Sequence, residues 1–269
     1  MLNEVAGTFG AMAVTECCGR LVGTVEARRA GRGFTVDADE GRKFDDPIAV
    51  ARELYHAAAR LLMFAYDDLV WVHAGAVAWG GGVHVLCGPS ASGKSTIVGA
   101  LLKRGWTYLS DEVAALDVAA THVYAFPLTP ERRVHEGGPL RDAESVRSLP
   151  KVAIPVDPTF VAQGSLPLAA IHFLEYRPGI TTWQHEPCAP GRAVLALLQN
   201  SLSLADDRRA EIAALAQLVS HVPAYELLYG DANAAAEYLH RSDPASSPRG
   251  SRTNGRDQGS GSATLPNRS

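Results

Sequence analysis

Gly88-Pro89-Ser90-Ala91-Ser92-Gly93-Lys94-Ser95-Thr96 is the stretch on which the reading of this chain turns. It satisfies G-x-x-x-x-G-K-[ST], the spacing of a Walker A phosphate loop. Each part of that spacing has a physical reason. The glycines let the backbone curl until several N–H groups converge on phosphate oxygens. A helix springing from the loop points its positive end at the same anion. Lys94 is placed to neutralise β- and γ-phosphates, and the Ser95 hydroxyl to ligate Mg²⁺. The nine residues from Gly88 to Thr96 are therefore the candidate contacts for ATP.

The flanks fit that reading. Leu69–Trp79 and Val83–Cys87 are apolar, rich in Val and Trp, and separated by Gly80-Gly81-Gly82. Two such runs around a glycine turn predict a β-hairpin whose second strand feeds the loop. Behind the loop, Ile97, Val98, Leu101 and Leu102 share one helical face, and Gly105 suits the helix end. Trp106–Leu109 then reads as a strand ending at Ser110-Asp111-Glu112. Ligands of α/β sheets gather at the carboxyl ends of strands, so this acid pair should face the nucleotide. Phosphoryl transfer needs one acid for the metal and one base for the acceptor hydroxyl. Spacing alone does not assign the two jobs. If the hairpin is centred on Gly81, paired residue numbers sum to about 162, which sets His73 across from position 89 at the mouth of the loop. A histidine there could contact phosphate or orient an acid.

Residues 1–66 read as a small β-plus-helix region, with short strands at Val5–Val14, Arg20–Arg28 and Gly33–Asp37. Asp46-Pro47 has the look of an N-cap followed by Pro at the first helical position, opening a helix to about Tyr66. The catalytic domain is expected over 67–240. Within it, Val113–Leu116 and Val123–Phe126 read as strands, Pro127–Gly164 as mostly loop and Leu168–Glu175 as a strand. Helices are expected at 192–200, 206–219 and Ala232–Leu239, with a strand at Val222–Leu228. From 241 onward Ser, Gly, Pro, Asn and Arg dominate, and that tail is expected to be disordered.

Composition excludes several classes. A net charge of −4 argues against a protein that coats nucleic acid. No run approaches the ~18 apolar residues of a membrane span, and the N-terminus lacks a signal peptide's basic and apolar regions. Cys17, Cys18, Cys87 and Cys188 form neither a disulfide framework nor a zinc set, so a cytoplasmic setting is expected. Only four of the 25 basic residues are Lys, and one of them is Lys94. A compact ammonium suits a cramped phosphate loop better than a planar guanidinium.

Three segments together carry a family resemblance: His73-Ala-Gly-Ala-Val; the loop Gly88–Thr96; and Arg104-Gly-Trp-Thr-Tyr-Leu-Ser-Asp111-Glu112. They resemble the HPr kinase/phosphorylase family, and more closely its shorter relatives with a small N-terminal β region. Leu168-Ala-Ala-Ile-His-Phe-Leu-Glu175 resembles a later core strand of that family. Pro190-Gly191-Arg192 resembles a substrate-side segment. The likeness covers about residues 69–200. It implies an α/β P-loop kinase core of the HPr kinase C-terminal domain and phosphoenolpyruvate carboxykinase type. It also implies transfer of the ATP γ-phosphoryl group to a serine hydroxyl. By position, Asp111 would serve the metal with Ser95, Glu112 would stand where the family has a second Asp acting as base, and Arg192 would stabilise transferring charge. The Gly-rich signature of the bifunctional members has no counterpart after Glu112, so phosphorolysis and HPr itself are not carried over. Short relatives resemble enzymes that tailor ribosomally made peptides, including kinases of the C-terminal serine of lasso-peptide precursors. A peptide or small-protein serine is therefore the expected acceptor. A homo-oligomer is also expected, because the related enzymes often form hexamers. Arg132 and Arg133 are further candidates for phosphate or an acidic acceptor. Two other classes compete: a small-molecule kinase on the same fold, and a non-enzymatic ATP-binding switch, which would have no need of a base.

Overall fold

The computed structural model describes residues 24–30, 33–36, 43–127, 130–134, 149, 151–154, 156–202 and 208–242. The expected strand Val5–Val14, the first four residues of the expected strand Arg20–Arg28 and the expected tail beyond residue 242 lie outside these.

A three-stranded antiparallel sheet comes first: β1 (Ala27–Ala30), β2 (Gly33–Val36) and β3 (Lys43–Phe44). Helix α1 (Pro47–Ala65) follows, with Pro47 opening it and Val50 N–H donating to the Asp46 carbonyl at 3.1 Å. This helix has two buried faces. Val50 and Ala57 pack with Val36 and Phe44 of the small sheet. Tyr55, Ala59 and Met63 pack with Trp71, Val113, Ala115 and Phe126 of the larger one. The small sheet is therefore seated on the following one through α1.

That larger sheet has nine strands and mixed direction. In chain order they are β4 (Val70–Val72), β5 (Ala74–Trp79), β6 (Gly82–Cys87), β7 (Thr107–Ser110), β8 (Ala114–Asp117), β9 (His122–Tyr124), β12 (Ser165–Tyr176), β13 (Gln184–Pro187) and β14 (Ala224–Tyr229). A separate hairpin, β10 (Glu131–Arg133) with β11 (Lys151–Ala153), falls between. The main path runs β4-β8-β9-β12-β6-β5-β7, and β14 pairs with β12 and with β13. Helices cover both faces. On one face, α2 (Lys94–Leu102) and α5 (Ala232–Ser242) pack around Leu86, Trp106, Leu174 and Leu227. On the other, α3 (Pro190–Gln199) and α4 (Arg208–His221) cover Val83, Val85, Cys87 and Ile171.

Two features of this topology position the site. Strand β5 is antiparallel to both β6 and β7, so β6 and β7 run the same way. The residues after Cys87 and after Ser110 consequently emerge at the same edge of the sheet. Strand β12 is parallel to β6, and β14 to β12, so their carboxyl ends join that edge too.

Several sequence expectations shift. Trp79 pairs with Gly82 and Ala74 with Cys87, so the hairpin is centred between Gly80 and Gly81 and paired numbers sum to 161. Gly80 and Gly81 have φ of 60° and 89°. Two positive φ values make a two-residue type I′ turn, which matches strand twist better than a turn centred on one glycine. The run Leu69–Trp79 is two strands, broken at His73. Residues 130–164 hold the β10–β11 hairpin and a short 3-10 turn at Pro158–Phe160 rather than loop alone. Helix α2 buries Ile97, Val98, Gly99, Ala100 and Leu101, so it is enclosed around most of its girth instead of along one stripe. It closes as expected at Gly105, with φ 84°. Gly105 N–H donates to Leu102 and Trp106 N–H to Leu101, at 3.0 and 3.3 Å, the paired bonds of a Schellman stop.

Candidate functional site

The stretch Gly88–Gly93 lies between the end of β6 and the first residue of α2. Its shape depends on two left-handed residues. Gly93 caps α2 at φ 86° and ψ 14°. Ala91 has φ 71°, which costs a residue with a Cβ about 1–2 kcal/mol. Strain of this kind persists only where surrounding contacts hold it, and a bond from the end of β14 holds this loop. The Tyr229 hydroxyl, from the end of β14, donates to the Ser92 carbonyl at 2.5 Å. A Cβ added at Gly93 would run into that same hydroxyl, so Tyr229 also enforces glycine there. At the start of the loop, a Cβ on Gly88 would meet Ser92 Oγ at 2.6 Å and the Leu174 carbonyl of β12 at 2.9 Å.

Lys94 is 7% exposed, and its ammonium turns back to donate to the carbonyls of Gly88 and Pro89 at 2.7 and 3.2 Å. An ammonium has three donor hydrogens, so these bonds use two. Burial lowers the Lys94 pKa; the nearby Cys87, Asp111 and Glu112 pull it back up, and Arg133 pushes it down. Both acids and Arg133 therefore lie within electrostatic reach of the ammonium. Cys87, buried at the end of β6, has its thiol pushed up to about 12 and stays protonated at neutral pH.

The acid pair sits just after β7. The Asp111 carboxylate approaches β5, where a Cβ at Gly75 would meet its Oδ1 at 3.7 Å. Ser110 Oγ, fully buried, accepts from the backbone N–H groups of Glu112 and Val113 at 3.4 and 3.2 Å and so fixes the turn that carries both acids. His73 is tied to the same turn. Its Nδ1 lies 2.9 Å from the Glu112 carbonyl, and its backbone N–H donates to the Asn200 carbonyl at 2.7 Å. The expected place across from position 89 is corrected: the strand breaks at His73 because Asn200 takes its N–H, and the ring leans on the acid turn. Tyr55 from α1 and Tyr108 from β7 complete the wall. Burial raises both hydroxyls well above their ordinary value, and Asp111 and Glu112 raise them further.

Arg133 comes to the site from β10, which packs against α2 and is anchored to α1 by the Arg52–Glu131 ion pair at 2.8 Å. Its Nε is buried with no hydrogen-bond partner among the described residues, as is Ser92 Oγ. Arg192 lies elsewhere. It stands at the start of α3 on the opposite face from α2, 71% exposed, and pairs with Glu226. Glu226 is in register with Phe173, and Phe173 with Cys87, so the pair lies two strands from the loop.

Lys94, Asp111, Glu112, His73 and the loop are thus gathered at one sheet edge, and Arg192 is set apart from them. Sequence reading missed Tyr55, Tyr108 and Tyr229. An aromatic residue inside an apolar run carries no sign of which polar group its hydroxyl will meet. Among the described residues, no group of three or more His, Cys, Asp or Glu side chains is gathered for a metal ion. No helix among them is long and apolar enough to cross a membrane.

Comparison with solved structures finds the chain similar to the Hpr(Ser) kinase/phosphatase from Coxiella burnetii, with a TM-score of 0.30 and 13% identity over 64% of this chain and 93% of that one. No family model matches the chain, and no curated protein does.

Proposed function

We propose that this chain is an ATP-dependent phosphotransferase that passes the γ-phosphoryl group of ATP to a serine hydroxyl of a peptide or small protein. The observation that carries the reading is the shared edge of β6 and β7, which sets the glycine loop and Lys94 beside Asp111 and Glu112. A simple phosphate-binding loop needs no acid pair. A transferase needs one acid beside the metal and one beside the acceptor.

The loop N–H groups and the end of α2 hold the phosphate chain, and Lys94 meets its β- and γ-oxygens with the donor its carbonyl bonds leave over. The buried Ser92 hydroxyl is a further donor for a phosphate oxygen. The donor set also fits a magnesium ion: it offers one hydroxyl, Ser95, and one carboxylate, Asp111, and Mg²⁺ commonly takes only one or two protein ligands beside phosphate oxygens and water. Bound there, Mg²⁺ would neutralise charge between the β- and γ-phosphates. Glu112 takes the proton from the serine hydroxyl. The serine oxygen then bonds to the γ-phosphorus as the bond to the β-phosphate bridging oxygen breaks, and ADP leaves. His73 holds the Glu112 turn by its bond to the Glu112 carbonyl and acts as a positioning residue. Arg133 is better placed than Arg192 to stabilise the transferring phosphoryl, because its charge reaches Lys94.

The test is transfer from γ-labelled ATP with Mg²⁺ to a panel of serine peptides. Label on a peptide serine, lost in Glu112→Gln while ATP still binds, is the expected result. ATP binding without transfer to any acceptor would leave only a binding module.

A further inference from the structure

We propose that Tyr176 is the platform on which the nucleobase of the bound nucleotide stacks. This rests on the phosphate loop holding nucleotide, as above. On that reading the phosphate chain has a direction. Its transferable end must lie toward Asp111 and Glu112, at the end of β7. Strand β7 is separated from β6 by β5, so the acids lie on one flank of the loop. The nucleoside must leave toward the other flank, formed by the carboxyl ends of β12 and β14. From β7 to β12 is three strand spacings, about 14 Å.

Tyr176 is the last residue of β12 on that flank. Leu174, two residues earlier, lays its carbonyl against Gly88 and its side chain against α2's core. Alternation along a strand turns Tyr176 toward the same face, the one from which α2 rises. Its ring lies against Tyr229 with centroids 5.6 Å apart and planes tilted by 53°. Tyr229 is the residue whose hydroxyl holds the Ser92 carbonyl. Tyr176 is therefore one ring away from the loop, braced from behind, and 45% exposed. Trp183, on the following segment, is stacked on Tyr238 of α5 with centroids 3.8 Å apart and has no ring contact with Tyr229 or Tyr176 among those of the described residues. A braced and half-exposed ring beside a phosphate loop offers a π-face to a base at little cost in side-chain entropy. Stacking is tolerant of base identity, so the platform favours a nucleotide over a bare polyphosphate without choosing adenine over guanine.

The experiment compares ATP with inorganic tripolyphosphate, which carries the same phosphate chain and no base. Calorimetric Kd values are measured with Mg²⁺ for the parent chain, Tyr176→Ala and Tyr176→Phe. Tyr176→Ala should weaken ATP about tenfold and leave tripolyphosphate unchanged, while Tyr176→Phe keeps both affinities. Equal ATP binding by Tyr176→Ala and the parent overturns the platform and leaves the phosphate loop standing. Equal loss of both ligands also overturns it, because Tyr176 would then act through Tyr229 on the loop. A parent chain that binds neither ligand overturns the phosphate reading and the platform together.

Discussion

The contact between Gly93 and Tyr229 makes a stability prediction that is independent of any ligand. Gly93→Ala places a Cβ in a left-handed residue, at φ 86°, and drives it into the Tyr229 hydroxyl. The conformational part costs about 1–2 kcal/mol, and overpacking adds about 1–3 kcal/mol. Tyr229→Phe removes the 2.5 Å bond to Ser92 and leaves a buried carbonyl without that donor, a loss of about 1–3 kcal/mol. For a chain of this size, 2 kcal/mol is a fall in Tm of roughly 4–8 °C. The two changes must not add. In Gly93→Ala the tyrosine is already pushed off Ser92, so removing its hydroxyl costs little more and relieves the clash. Urea denaturation of both single variants and the double variant should give a coupling of at least about 1 kcal/mol, with the double variant more stable than the sum of its parts. Additivity within about 0.5 kcal/mol, the behaviour of sites that do not touch, would refute the contact and with it the account of how the loop is held.

Other outcomes follow from the same geometry. His84 Nδ1 and His172, both buried, and the half-buried His185 form a chain, with ring nitrogens 3.0 and 3.2 Å apart, that ends on the Tyr238 hydroxyl at 3.1 Å. Burial, and then the neighbouring histidines, hold the pKa of His172 well below the ordinary value of 6.5, and that of His185 is lowered too. The unfolded chain then binds protons that the fold does not, so stability is level above about pH 6.5 and falls as pH drops below it. His172→Gln should flatten that slope in urea midpoints taken between pH 5 and 7.5, and an unchanged slope would count against the histidine chain. Arg192 is largely exposed, so Arg192→Ala should change stability by less than about 1 kcal/mol. Arg133→Ala should reduce phosphoryl transfer more than Arg192→Ala does; the reverse order, read from initial rates, would show that Arg192 leaves Glu226 to reach the substrate.

The motif and its immediate context were legible in the sequence because their determinants are local. The spacing of Gly88, Gly93, Lys94 and Ser95 names a loop, and the apolar runs on either side name a strand and a helix. The hairpin was legible except for one residue of register. Gly80-Gly81-Gly82 offers three consecutive positions free to take positive φ, and only the fit to strand twist chooses between them. The gathering of Asp111 and Glu112 at the loop was legible through the parallel-sheet rule, although β5 intervenes between their strand and β6. The break at His73 was not legible, because its cause, the Asn200 carbonyl, lies far along the chain. Tyr229 was hidden for the same reason: it holds Ser92 from 137 residues away. Strands β3, β10, β11 and β13 have two to four residues each. Apart from β11, they are also poor in the apolar and β-branched residues that mark equally short strands such as β7 and β8.

Everything proposed for this site depends on the loop from Gly88 to Thr96 holding the phosphates of a nucleotide through Lys94. The most direct measurement is the Kd of Mg²⁺-ATP for the parent chain and for Lys94→Ala, with thermal denaturation confirming that both are folded. Saturable binding by the parent and loss of that binding in a folded Lys94→Ala are the expected results. Equal ATP affinity in the two would contradict this role of Lys94.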